Sequence, residues 1–229
     1  RKPVIVVGPN PQPLLVRQDD FGIESERSVW LPNPIDHAMV AEAGASPVDD
    51  PWLKDRRFLL AAGRLAPQKG FDLLLDAYAV IHTEVDVDLC ILGSGPDEGD
   101  LKARAHSAGI ADRVHFPGTV ENPYAYMTRT DAFVLSSRAE GWPNVLAEAM
   151  ASGCAVVAFD CNYGPRDMIE DGVNGLLVPA EDKHALAQAL IRTLKDSELS
   201  ERLGNAANIA AGQWSAHEIS RRWVTEIVT

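Results

Sequence analysis

The sequence predicts an α/β fold, a parallel sheet covered by helices on both faces. Two observations carry that expectation. Short continuous apolar runs, such as Phe58–Ala62, Val87–Leu92 and Ala132–Leu135, read as strands buried on both sides. Stretches with helical periodicity lie between them, so strand and helix alternate along most of the chain. In open sheets of this kind ligands bind outside the carboxyl ends of the strands. Chemistry is therefore sought in the loops that follow strands.

In order, Val4-Ile5-Val6-Val7 reads as a short buried strand ending at Gly8-Pro9, followed by a weak helical stretch over Pro13 to Phe21. Val29-Trp30-Leu31 leads into Pro32-Asn33-Pro34-Ile35-Asp36, where two prolines force an extended crossing, read as a linker or hinge. Ala41 to Asp55 is small, acidic and Pro-containing, and reads as surface loop. The regular pattern then begins. Strands are expected at Phe58–Ala62, Val87–Leu92, Val114–Phe116, Ala132–Leu135, Ala155–Phe159 and Gly175–Val178. Helices are expected at Phe71–His82, Asp100–Ala108, Tyr124–Arg129, Asn144–Ser152, Asp182–Lys195, Ser197–Ala211 and Ser215–Val228. The first of these helices has a wide apolar face through Leu73, Leu74, Leu75, Ala77, Tyr78 and Ile81.

The chain has 229 residues, 46% hydrophobic and 24% charged, enough for a sizeable core and too apolar for disorder. Its 33 acidic and 21 basic residues give a net charge of −12, which disfavours nucleic acid as a partner and leaves room only for a local basic pocket. Three cysteines, Cys90, Cys154 and Cys161, match no metal-ligand spacing; Cys90 and Cys154, in or beside apolar runs, fit core thiols of a reducing, cytoplasmic compartment. No apolar run approaches a membrane span and no signal peptide is visible.

The chain is organised around Leu135 to Met150. An apolar strand enters it, a loop follows, and Asn144 opens a helix with Pro143 before it and Gly153 after it. Glu140 lies in the loop and Glu148 one turn into the helix. Across a loop both carboxylates can face one crevice, beside the free N–H groups and positive dipole end of the helix. That pairing suits an anionic, hydroxyl-rich ligand; the plainer alternative is two solvated glutamates.

Three more loops are candidates. Gly63-Arg64-Leu65-Ala66-Pro67-Gln68-Lys69-Gly70 puts two cations and two glycines at a strand's end, which suggests a pyrophosphate site. Exposed solubilising residues are the other reading. Leu92-Gly93-Ser94-Gly95-Pro96 is a tight turn suited to a base or ribose; Glu98 and the out-of-register Gly99 weaken a nicotinamide reading. Phe116-Pro117-Gly118-Thr119-Val120 can wall the base with backbone groups or be an ordinary strand end. In the loop after Phe159, Arg166 is a candidate for a second anion or the acceptor, or a plain surface arginine. Asp86-Val87-Asp88 has a metal-binding look, but it starts a strand, on the wrong edge. No metal and no cofactor are expected.

Gly63-Arg64-Leu65 with Lys69-Gly70, Gly93-x-Gly95-Pro96, Glu140 through Gly141-Trp142-Pro143-Asn144-Val145-Leu146 to Glu148, and Gly172-x-Asn174-Gly175-Leu176-Leu177-Val178 resemble the donor half of a retaining, GT-B fold glycosyltransferase of group 1, or family 4. The resemblance runs from about Leu31 to Thr229. It implies a Rossmann-like, nucleotide-sugar-binding domain at 34–229, with 1–33 the remnant of an N-terminal acceptor domain and linker. By that resemblance Arg64 and Lys69 neutralise the donor diphosphate, and Gly63, Gly95 and Gly118 line the donor. Glu148 holds the ribose; Glu140 and the backbone of Asn144, Val145 and Leu146 hold the sugar. Glu140, Arg64 and Lys69 are then the catalytic set. The donor is a nucleotide-diphosphate sugar, with UDP-sugar favoured. Tyr163-Gly164-Pro165-Arg166-Asp167 stands where many members have a Gly-Gly pair and then Glu; the variant resembles builders of bacterial surface glycans. The acceptor is a glycan or lipid-linked glycan, with the enzyme peripheral at the inner membrane through its other domain. The competing readings are a sugar phosphorylase or epimerase of similar architecture, and a truncated nucleotide-binding module without transferase activity.

Overall fold

The computed structural model describes residues 6–8, 28–48 and 50–225. Strands β1 (Val6–Gly8) and β2 (Ser28–Trp30) pair in parallel as a two-stranded sheet of their own. The helix expected over Pro13 to Phe21 lies outside the described residues.

The main sheet has six strands: β3 (Phe58–Ala62), β4 (Asp88–Leu92), β5 (Val114–Gly118), β6 (Ala132–Leu135), β7 (Val156–Asp160) and β8 (Leu176–Pro179). They are all parallel, in the order β5-β4-β3-β6-β7-β8. Counted from β3, that is the 3-2-1-4-5-6 order of a Rossmann-like sheet. The chain winds outward from β3 to β5, then returns to β3's other side to build β6 to β8. Connections therefore leave β3 and β6 in opposite directions, which opens a crevice above their carboxyl ends.

Period-2 alternation divides the strand residues between two cores. Leu59, Ala61, Leu89, Ile91, Val134, Val157 and Phe159 face helices Phe71–Glu84, Glu98–Ser107 and Lys183–Lys195. Phe58, Leu60, Cys90, Phe133, Leu135, Val156 and Ala158 face helices Asn144–Ala151 and Ser197–Ala211 and the short helix Pro123–Met127. Cys90, Cys154 and Cys161 are all buried free thiols. Burial pushes Cys154 up to about 12, and burial, reinforced by the Glu140 charge, pushes Cys161 up to about 11.

Ala41 to Asp55 is not the surface loop its composition suggests. Helix His37–Gly44 covers its first part, because the Asp36 carboxylate caps the N–H groups of Ala38 and Met39. Asp50 likewise caps the turn Pro51–Leu53, and Leu53 is fully buried. The linker segment at Ile35 pairs with the chain at Trp214 and Ala216 through two backbone hydrogen bonds. The final helix is described as Ala216–Trp223. At this end of the chain Trp214 and Ile219 are core, Trp223 and Val224 are exposed, and Ile227 and Val228 lie outside the described residues.

Candidate functional site

The loops after β3 and β6 meet across the crevice and are stitched together. The Arg138 N–H donates to the Gln68 carbonyl at 2.8 Å, and Gln68 Nε2 donates to the Ala139 carbonyl at 2.7 Å. Ser136 Oγ donates to the Lys69 carbonyl at 3.0 Å. At the closest approach Gly70 adopts φ +63°, and a Cβ there would lie 2.0 Å from the Ser136 carbonyl oxygen.

These contacts bring Lys69 to Glu140. The ammonium lies 2.6 Å from Glu140 Oε1, and Ser137 Oγ donates to the same oxygen at 2.6 Å. The Glu140 side chain is 7% exposed and that of Lys69 20%, so the pair is partly desolvated. The Lys69 stem runs over Gly63, where a Cβ would stand 3.3 Å from Lys69 Cε. Arg64, by contrast, is exposed and makes no ion pair with any described residue.

A cleft of 640 Å³ opens above the ends of β3, β4 and β5. Gly63, Arg64, Gly95, Val145 and Glu148, all expected in the donor site, line it together with Ser94, Thr119, Val120 and Pro123. Glu140 stands apart from this lining, so the two glutamates do not simply share one face. Gly95 is there because a side chain would collide with the Leu65 backbone, its Cβ 2.2 Å from the carbonyl oxygen. Gly118 is not in this lining, though Thr119 and Val120 beside it are, and its carbonyl accepts the Gly93 N–H at 2.7 Å. Ser94 and Thr119 share a hydroxyl–hydroxyl contact of 3.2 Å at the far end of the cleft.

The helix Asn144–Ala151 begins at Pro143 with no side-chain cap. The Leu146 N–H is taken by the Pro143 carbonyl at 2.9 Å, so the first-turn groups left to face a ligand are those of Asn144 and Val145. Leu146's side chain is fully buried, and the Asn144 side chain accepts from Asn33 Nδ2 at 2.8 Å. Glu148, one turn on, also lines a second cavity of 340 Å³ with Tyr124, Asn33 and Asn144. Burial holds its carboxyl above the usual range, and a hydrogen bond from Tyr124 partly offsets this.

A raised folded-state value means stability that is complete below the ordinary value of 4.5 is lost as pH rises through the folded one. At neutral pH the Glu148 charge therefore costs stability. Glu148→Gln, which removes the charge and keeps one carbonyl acceptor, is expected to raise Tm, more at about pH 8 than at about pH 4. A Tm that falls at both pH values would refute the assignment.

Arg166 is paired with Asp160, which it forks at 2.9 and 3.0 Å on the surface. Asp167 accepts the Gly164 N–H at 3.1 Å and holds a turn whose Gly164 packs against Pro143 and the Glu140 Cβ. Asn174 is a buried staple, bonding the Glu170 N–H and the Met168 carbonyl. Asp88 is buried at the opposite end of the sheet, paired with Arg56 at 2.6 Å and with Arg113. Among the described residues no cluster of three or more His, Cys, Asp or Glu side chains is placed to hold a metal. The roles of Ser137, Arg138, Pro123 and Tyr124 escaped the sequence reading. Only Ser137, three residues before Glu140 in the same turn, had spacing that could have marked it.

The sequence model of glycosyl transferases group 1 matches residues 46–209. The N-acetylgalactosamine-N,N'-diacetylbacillosaminyl-diphospho-undecaprenol 4-alpha-N-acetylgalactosaminyltransferase of Campylobacter jejuni is 34% identical over 202 residues, covering 88% of this chain and 54% of that protein. The lipopolysaccharide core biosynthesis glycosyltransferase LpsE of Rhizobium meliloti is 30% identical over 205 residues, 89% of this chain and 58% of LpsE. Among solved structures, the pneumococcal O-GlcNAc transferase GtfA in complex with UDP and GlcNAc superposes with a TM-score of 0.78 at 25% identity, over 97% of this chain and 44% of that one. Anabaena Alr3699/HepE in complex with UDP and glucose has the same fold, with a TM-score of 0.84 at 20% identity, over 99% of this chain and 63% of that one. The fold is thus that of GT-B glycosyltransferase structures, and the chain spans about half the length of the curated relatives it matches.

Proposed function

The chain belongs to the glycosyl transferases group 1 family, and from that premise we propose that it is the donor-binding half of a retaining glycosyltransferase that uses a UDP-sugar. One observation carries the reading: Arg64, a cation with no ion pair among the described residues, and a half-buried carboxylate, Glu148, line the same cleft at the end of a Rossmann-like sheet. A cation there suits a diphosphate, and a carboxylate acceptor suits the vicinal hydroxyls of ribose. UDP is favoured because GtfA, at 25% identity, was solved with UDP and GlcNAc. In this reading the diphosphate meets Arg64, Lys69 and the N–H groups of Asn144 and Val145. Glu140 faces the transferred sugar. Charge develops on the leaving phosphate during transfer, where fixed cations and helix N–H groups stabilise it most.

Ribose is common to UDP and UDP-sugar, so Glu148→Gln is expected to weaken both by about 1.5 kcal/mol, the value of a hydrogen bond to a charged acceptor. Glu140→Gln is expected to spare UDP and weaken the sugar nucleotide. Calorimetry with both ligands checks this, and the opposite pattern would mean that the two roles are exchanged. UDP affinity is also expected to be the same in magnesium and in chelator, since Arg64, Lys69 and the helix start suffice for the phosphates. A large loss in chelator would contradict the metal-free reading.

The acceptor is proposed to be a glycan or glycolipid, held by a part of the protein outside this site. Front-face transfer needs an acceptor hydroxyl within about 3–3.5 Å of the anomeric carbon. The 229-residue chain alone is therefore expected to bind donor and to transfer sugar poorly. Among the described residues no helix is long and apolar enough to cross a membrane, so membrane placement is proposed as peripheral. A nucleotide-binding module without transferase activity remains the second reading, and robust transfer by the full protein would exclude it.

A further inference from the structure

We propose that Arg138 is a positioning residue: its guanidinium grips both ends of the turn that carries Lys69 and so sets where the ammonium stands for the donor's diphosphate. The inference rests on the donor-site reading above and adds a residue to it.

The turn in question is Pro67–Lys69, closed by Gly70 and leading into helix Phe71–Glu84. Arg138 comes from the opposite loop, after β6. Its Nη1 donates to the Pro67 carbonyl at 2.7 Å, the first residue of the turn. Nη1 and Nη2 fork the Asp72 carboxylate at 2.8 and 2.7 Å, on the first turn of the helix beyond. Nε donates to Glu181 at 3.1 Å. Lys69 lies between the two gripped points, and its own carbonyl is fixed by Ser136, two residues before Arg138. A planar, five-donor fork is what spans a carbonyl and a carboxylate together; an ammonium cannot.

Arg138 is not itself a phosphate ligand. Its charge is already met by Asp72 and Glu181. It lines a separate cavity of 330 Å³ with Pro67, Phe71 and Asp72, and it is absent from the lining of the Arg64 and Glu148 cleft. The Arg138 contact also holds the Asp72 carboxyl below its ordinary range, so the fork stays charged at neutral pH. The Lys69 stem crosses Gly63 and ends on Glu140, so a shift of the turn moves the ammonium relative to both walls of the site.

The test is calorimetry with UDP and with UMP on the 229-residue chain and on Arg138→Ala, Asp72→Asn, Lys69→Ala and the Arg138→Ala/Lys69→Ala double variant. Arg138→Ala and Asp72→Asn are expected to weaken UDP by about tenfold and UMP by less than about twofold, since UMP lacks the second phosphate. In the Lys69→Ala background the Arg138 substitution should cost nothing further. Equal losses for UDP and UMP, unchanged UDP affinity, or a full Arg138 effect without Lys69 would each overturn the proposal. Asp72→Asn keeps the side-chain shape and carries the test if Arg138→Ala does not fold. If the unaltered chain binds no UDP, the donor-site reading fails, and this inference with it.

Discussion

Lys69→Ala is expected to lose UDP affinity and fold stability together, whereas Arg64→Ala loses affinity alone. In the proposed donor site either substitution would remove a charge-assisted contact to phosphate, at a cost of about 1.5–3 kcal/mol of binding. Lys69 has a second role. It is the cation beside Glu140, whose side chain is only 7% exposed. Deleting it leaves a desolvated carboxylate with Ser137 as its remaining partner, and breaking such a pair costs up to about 3 kcal/mol, the lower end for buried pairs because Lys69 keeps some solvent. Arg64 is exposed and unpaired among the described residues, so its loss should leave Tm within error. Thermal unfolding and UDP calorimetry on the two variants decide the matter. Equal Tm values would show that the Lys69–Glu140 pair contributes nothing to the fold. Unchanged UDP affinity in both would remove the loop after β3 from the site. Adding Glu140→Gln to Lys69→Ala should restore the stability and leave UDP affinity low.

The contrast between these cations shows where sequence reasoning stops. Two basic residues in a glycine-containing loop after a buried strand are enough to nominate a phosphate site. Their difference depends on the loop after β6, sixty or more residues away, and no local pattern reveals it. The strands were legible because they are continuous apolar runs; β3 and β6 have the expected limits at both ends. Helix His37–Gly44 was not, because its sequence is small and weakly amphipathic, and it is defined by the Asp36 cap and by packing against Pro123–Met127. For Arg166 the sequence left an anion ligand and a plain surface arginine open; its ion pair with Asp160, six residues earlier, is a contact that spacing alone did not single out.

The glutamate pair was located by spacing, but its chemistry was not. An eight-residue separation across a loop and a helix start permits both carboxylates to face one crevice. The structure instead gives them different surroundings, Glu140 against an ammonium and Glu148 in a partly desolvated wall beside Tyr124. Glu140 has a cation against it, whereas Glu148 has none among the described residues.

Gly70→Ala is expected to damage the fold and the site at once. At φ +63° an L side chain is strained by about 1–2 kcal/mol. The new Cβ would also stand 2.0 Å from the Ser136 carbonyl oxygen and 3.1 Å from its carbon, on backbone that cannot rotate away. Relief requires the loops after β3 and β6 to separate, and forced repacking of that kind costs about 1–3 kcal/mol more. Separation breaks the Ser136–Lys69 and Arg138–Pro67 hydrogen bonds, so the Lys69 ammonium leaves Glu140 even if the sheet survives. The expected result is a Tm lowered by several degrees and UDP affinity at least as poor as that of Lys69→Ala. Gly118→Ala is the control: φ there is +81°, so the backbone strain is similar, but nothing lies within 4 Å of the new Cβ. It should lose the strain energy and keep UDP affinity. If the two variants behave alike, close approach of the loops is not what makes Gly70 necessary, and the crevice does not depend on their contact.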